Sequence, residues 1–351
     1  MTLREALTHP WLTVRTQIAL GVFFVTPLVL TYLFVIRWVD RFEPEPWWLI
    51  LAAFIWGACF ATVGGGISSS IASSVTSALF DATQGDMDVI GATVFAPIFE
   101  ETFKGVGVSL IALVSALGLR ELDGPLDGAI YGGVVGLGFT RTEDILYVAN
   151  QYATSGLGGF VILLFLRTVL LGLSHCTFTA CTGLGFGIAT EAKSWVIKVG
   201  APIFGFGCAM LMHAMHNALP TFFGNEGLAV MLLVSWAIDI LFFVLLALLV
   251  VRDRSIVVRE LASEVGDLLH PRELQLVTSY FTLGWRNWVV LFSRGWSSFR
   301  VRRRKQLQLV ELAFIKSRRR RGERGHDLDR KEAELRREIF HSNRLGVWIG
   351  S

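Results

Sequence analysis

In this chain of 351 residues, 53% are hydrophobic and 17% charged, against about 25% charged in an ordinary soluble domain; that excludes a disordered chain and argues against a cytosolic enzyme. The net charge of +3 conceals two unlike parts, since residues 1–251 hold 10 Lys/Arg against 17 Asp/Glu, and residues 252–351 hold 22 against 12. The composition therefore predicts a transmembrane domain over 1–251 and a basic tail over 252–351.

A helix needs about 20 mostly apolar residues to cross the bilayer core, and seven stretches qualify: 17–36, 47–70, 89–117, 125–149, 158–189, 199–219 and 228–251. The fold class expected is an all-α polytopic membrane protein with about seven transmembrane helices. The second stretch could extend to Phe80, because 64–80 stays weakly apolar, and an eighth segment or a re-entrant piece is the alternative there. Arg4 and Arg15 precede the first stretch, but no small-residue cleavage site closes it, so it reads as a membrane helix. Arg37 and Arg41, Arg120, and Lys193 and Lys198 follow the first, third and fifth stretches, while the alternate loops contain no Lys or Arg. The positive-inside rule then puts these loops and the tail in the cytoplasm and the N-terminus outside. The expected location is a bacterial plasma membrane, crossed several times. Cys59, Cys176, Cys181 and Cys208 lie in apolar runs without disulfide or metal spacing, and each reads as a small buried hydrophobe.

The tail is partly helical. Its aromatic stretch, 280–299, precedes basic clusters at 302–305 and 318–321, a pattern suited to an anionic lipid surface. The aromatics favour that reading over nucleic-acid binding. The segment 328–340 reads as a charged, solvated helix.

Ionisable groups inside membrane helices are costly and mark functional sites. The third stretch holds Glu100, Glu101 and Lys104, the fourth Arg141, Glu143 and Asp144, the fifth Arg167 and His175, and the sixth His213, His216 and Asn217. Glu100 and Lys104 are four apart and can pair on one helix face, with Glu101 turned toward a different neighbour. His175 with Thr179, and His213 with Asn217, are also four apart. Thr179 is alternatively bonded to its own helix backbone. Arg167 suits pairing with an acid such as Asp144 or Glu101, and Asp239 in the seventh stretch has no assigned role. Counted from the helix ends, Glu100, Glu143, His175 and His213 converge in the outer half of the membrane.

Two Glu, two His and an Asn supply a base for water and donors for an oxyanion, the parts of peptide hydrolysis without a Ser or Cys nucleophile. The same groups suit zinc, through Glu101, His175 and His213, although HExxH is absent. A proton-coupled transporter or channel is the rival use of such a cluster.

In order along residues 96–219, EExxK at Glu100–Lys104, Phe139–Glu143, Arg167 with His175 and Thr179, and HxxHN at His213–Asn217 resemble the PrsW family of bacterial intramembrane proteases, in the wider group that includes the CAAX prenyl endopeptidases. The resemblance implies cleavage of a single-pass membrane protein, such as an anti-sigma factor, near the outer face. It implies Glu100 or Glu101 as the water-activating residue, Glu143 retained, His175 assisting, and His213 and Asn217 at the oxyanion. Lys104, Arg167, Thr179 and His216 would support them. Members have been called metalloproteases. The family pattern carries Asn where this chain has Asp144.

Overall fold

The computed structural model describes residues 10–39, 42, 44–119 and 121–349. Arg41 and Arg120, two of the charges used above to orient the chain, and Arg4 lie outside the described residues. The described residues are helical apart from short connections and one isolated bridge between Val265 and Leu269. They divide into two units, taken separately: residues 45–246 with the N-terminal helix, and residues 247–349 with Phe42 and Pro44.

Five helical runs are long and apolar enough to cross a membrane: Thr13–Val39, Trp47–Phe80, Gln84–Gly118, Pro125–Glu191 and Trp195–Ala262. The last two, of 67 and 68 residues, each take in two of the predicted stretches. The backbone leaves helical geometry inside them at Gly156 (φ 66°, ψ −161°) and Gly224 (φ 56°, ψ −131°). The weakly apolar segment forms no separate eighth element, because the helix continues through Phe80.

The elements of the first unit are α1 (Pro10–Val39), α2 (Trp47–Ile55), α3 (Thr62–Phe80), α4 (Gln84–Ile90), α5 (Ala96–Val114), α6 (Pro125–Leu164), α7 (Ser174–Glu191) and, up to Leu246, α8 (Trp195–Ala262). Single π-helical turns at Trp56–Ala61, Gly91–Phe95 and Phe165–Leu170 interrupt the runs, and such turns often shift side chains into functional positions. The sequence sets the start of α6. Pro125 occupies its first position, and Asp127 Oδ2 accepts the amides of Asp123 and Gly124 at 3.0 and 2.7 Å.

Buried almost throughout from Pro125 to Thr140, α6 forms the core of the unit. Its glycines let α7 approach to backbone contact, as small residues do between membrane helices. A Cβ on Gly136 would lie 2.2 Å from His175 O, and one on Gly128 2.1 Å from Gly183 O. Trp56 ties α5 in by donating to Phe103 O at 2.8 Å. Cys176 is buried, but Cys59 is exposed on the protein surface, against expectation; Cys181 and Cys208 are intermediate, and all four are free thiols.

In the second unit, α9 (Pro271–Val277), α10 (Tyr280–Arg320) and α11 (His326–Arg344) surround a small core that includes Leu261, Val277, Leu309, Leu312 and Ile339. Lys305 is buried, donating to Glu273 at 2.6 Å and to Val347 O at 2.8 Å. Glu264 takes a bidentate pair of bonds from Arg336 at 2.7 Å each and a further bond from Lys316. One expectation fails here. Leu328, Leu335 and Ile339 bury one face of α11, so this helix is packed rather than solvated. Of the basic cluster at 318–321, Arg318, Arg319 and Arg320 pair with Glu323, Asp329 and Glu260 at 2.6, 2.7 and 3.0 Å, so these charges face acids of the unit itself.

Candidate active site

Most of the residues singled out in the third to sixth stretches meet in one cluster. α5 brings Glu100, Glu101 and Lys104, α6 brings Glu143 and Asp144, the π turn before α7 brings Arg167 and Thr168, α7 brings His175 and Thr179, and α8 brings His213.

The centre is an ammonium. Lys104 Nζ donates to Glu101 Oε1 at 2.7 Å, contacts His175 Nδ1 at 3.2 Å and sits 3.6 Å from the centre of the Phe139 ring. Lysine offers only N–H groups, so His175 Nδ1 accepts and its ring proton belongs on Nε2. Nε2 lies 2.8 Å from Glu143 Oε2, and the imidazole is held at both ends. Arg167 secures that carboxylate, with Nη2 on Glu143 at 2.8 Å and Nε on Asp144 at 2.9 Å. Thr168 adds a bond to the other oxygen of Asp144 at 2.8 Å.

The adjacent glutamates differ. Glu101 is fully buried, and its carboxylate is taken by Lys104, by His213 Nδ1 at 2.9 Å and by the Thr179 hydroxyl at 3.3 Å. Glu100 keeps 13% of its side chain exposed, and its Oε2 has no hydrogen-bond partner. That oxygen lies 3.9 Å from Lys104 Nζ and 3.7 Å from His213 Nε2. The latter distance is too long for a direct bond. Within α5 Lys104 pairs with Glu100 at 3.9 Å as expected, but its closer partner is Glu101, three residues away, at 2.7 Å. Lys104 follows the carboxylate already fixed by His213 and Thr179 from two other helices.

Of the remaining candidates, Asn217 donates to Ala92 O at 2.9 Å, and His216, its ring centre 6.5 Å from that of His175, has Nδ1 3.3 Å from Ser235 Oγ. Thr179 bonds Glu101 rather than its own backbone, and Arg141 Nε reaches Thr26 at 3.2 Å. Asp239 accepts from Thr177 at 2.7 Å. Sequence reasoning did not single out Thr168 or Phe178, whose ring stacks on His213 at 5.7 Å; adjacency to Arg167 was the one available signal for the former.

Glu101, His175 and His213 offer ligand atoms within 4.8 Å of one another. The donor types suit zinc. However, the Lys104 ammonium is bonded to Glu101 and in contact with His175, two of the three donors, so the trio does not fit a divalent ion while Lys104 keeps those contacts.

Comparison with known protein families matches residues 45–250, more than half the chain, to the family described as PrsW family intramembrane metalloprotease. Searches of curated proteins and of solved structures gave no match.

Proposed function

The chain belongs to the PrsW family of intramembrane metalloproteases, multi-pass membrane peptidases, and we propose that it cleaves a single-pass membrane protein with a water activated by Glu100. One observation carries this reading: Glu100 Oε2 is buried, unpartnered and 3.7 Å from His213 Nε2. An ionised Glu101 holds the Nδ1 proton of His213, leaving a lone pair on Nε2. A water beside Glu100 and His213 then donates one proton to each and turns its own lone pair outward to attack a peptide carbonyl. Glu100 takes up the proton as the bond forms, acting as general base. Lys104 supplies fixed positive charge beside the developing negative charge. His175, held between Lys104 and Glu143, acts as a positioning residue, and Asn217, anchored on Ala92 O, has a second N–H to offer the oxyanion.

In this reading the runs Pro125–Glu191 and Trp195–Ala262 each cross twice, turning at Gly156 and Gly224, which makes seven crossings with the tail in the cytoplasm of a bacterial cell. The substrate class is the one the family resemblance implies, a membrane-anchored regulator such as an anti-sigma factor cut near the outer face. Family membership favours hydrolysis over the transporter reading.

The test is reconstitution with single-pass membrane substrates in liposomes. Wild type cleaves, Glu100→Gln does not, and neither 1,10-phenanthroline nor EDTA reduces wild-type turnover. Cleavage by the variant refutes Glu100 as base. Loss with a chelator, restored by zinc, refutes the role given to Lys104.

A further inference from the structure

Outside the apolar runs, one helix presents an aromatic face that the second unit leaves uncovered. α10 bends at Gly295 (φ 79°, ψ 173°). Before the bend, Leu283 and Val290 turn inward, 2% and 8% exposed. On the other side Phe281, Trp285, Trp288 and Phe292, with Trp296 just past the bend, are between 58 and 80% exposed. Their steps of three and four residues make one stripe along a helix. Trp288 and Phe292 stack with ring centres 5.6 Å apart. From Tyr280 to Val310 the chain carries seven Lys/Arg and no Asp/Glu, and Arg294 and Arg300 are exposed.

We propose that this face of α10 lies in the interface of an anionic bilayer, with its aromatic rings at the boundary between headgroups and acyl chains and Arg294 and Arg300 on lipid phosphates. Tryptophan and phenylalanine with flanking arginines suit that boundary, where one side is apolar and the other wet and negative. The segment is absent from the runs apolar enough to cross, so it lies on the membrane instead of spanning it. A second copy of the chain would bring two acid-free basic stretches together, whereas an anionic leaflet neutralises them. The second unit is thereby fastened to the membrane that the first unit crosses, independently of any peptidase activity.

The experiment is hydrogen–deuterium exchange on the full-length protein in phosphatidylcholine nanodiscs, in nanodiscs of equal phosphatidylcholine and phosphatidylglycerol, and in amphipol. Residues 280–299 are expected to exchange at least about tenfold more slowly in the anionic nanodiscs than in amphipol. Arg294→Gln/Arg300→Gln removes most of the gain over phosphatidylcholine, at about fivefold per arginine. Trp285→Ser/Phe292→Ser removes protection in both bilayers. Unchanged exchange at 305–317 and 328–339 shows that the unit stays folded in each variant. Equal exchange in all three media overturns the proposal. Protection that follows protein concentration, in particles holding two copies, overturns it in favour of self-association.

Discussion

Adjacent glutamates with unequal surroundings give the sharpest test of the site. Glu101→Gln removes the charge that Lys104 meets at 2.7 Å, where both side chains are fully buried. Breaking one partner of a buried pair costs about 3–5 kcal/mol, because the other charge is left uncompensated. Glu100, at 3.9 Å from the ammonium, is the next carboxylate and takes up part of the deficit, which sets the expected loss near the lower end, about 3 kcal/mol. In a protein stable by about 5–15 kcal/mol, that loss lowers the unfolding midpoint visibly. Glu100→Gln removes no hydrogen bond from Oε2 and should change stability by less than about 1 kcal/mol. Both variants are expected to lose cleavage, Glu100→Gln by about 10²–10⁴-fold as a missing base, and Glu101→Gln because Glu100 is drawn onto Lys104. Activity alone therefore does not separate them. Thermal unfolding of the purified protein, followed by tryptophan fluorescence, does. Adding Lys104→Met to Glu101→Gln should restore most of the midpoint without restoring cleavage. An undisturbed midpoint in Glu101→Gln, or a double variant no better than the single, refutes the assignment of Glu101 to the structural pair.

Three further outcomes follow from the same geometry. Arg167→Lys keeps the charge but loses the planar fork that spans Glu143 and Asp144; kcat should fall about 10–100-fold with KM nearly unchanged, and an equal rise in KM would place Arg167 in substrate binding instead. Gly136→Ala puts a methyl 2.2 Å from His175 O and must displace α7. A shift of about 1 Å at a catalytic group costs about 10²-fold, while Gly158→Ala, with nothing within 4 Å, should match wild type in the same cleavage assay. In the second unit, burial raises the Glu264 pKa but the bonds from Arg336 and Lys316 outweigh it, and the group sits below its ordinary value. Its contribution is thus full above the usual glutamate range of about 4.3 and declines as pH falls through the depressed value. Limited proteolysis of the tail should show acid sensitivity there, which Arg336→Gln flattens by removing the bidentate pair.

What the sequence made legible was cost. Glu100, Glu101, Lys104, Glu143, Arg167, His175 and His213 stood out because lipid does not tolerate such groups singly, and helix periodicity was enough to bring them together. What it left unreadable was the choice among near-equal neighbours. On a helix, residues three and four away are almost equally close, so Lys104 had two glutamates within reach. His213 and Thr179, arriving from α8 and α7, decided between them. Asn217 was expected beside His213, yet it bonds Ala92 O within the π turn Gly91–Phe95, an irregularity with no residue signature. In the tail, Leu328, Leu335 and Ile339 were outnumbered by charges, and the acids that neutralise Arg318–Arg320 lie up to 60 residues away in sequence, beyond any local pattern.

The position of Lys104 also bears on the metal question raised by the family's description. A zinc ion held by Glu101 and His175 would need the oxygen and the ring nitrogen that the Lys104 ammonium already occupies at 2.7 and 3.2 Å, and the two cations would repel across a short, poorly screened distance. The ammonium and the ion therefore compete for one place. Removing the ammonium should then create a metal site rather than destroy one: Lys104→Met is expected to bind one zinc per chain through Glu101, His175 and His213, and wild type to bind none under the same conditions. Elemental analysis of the purified proteins after zinc loading and desalting measures this directly, with Lys104→Met/His213→Ala as the variant that should lose the ion again. Stoichiometric zinc in wild type, with Lys104 in place, would show that the repulsion argument is wrong and that the lysine moves aside for the metal.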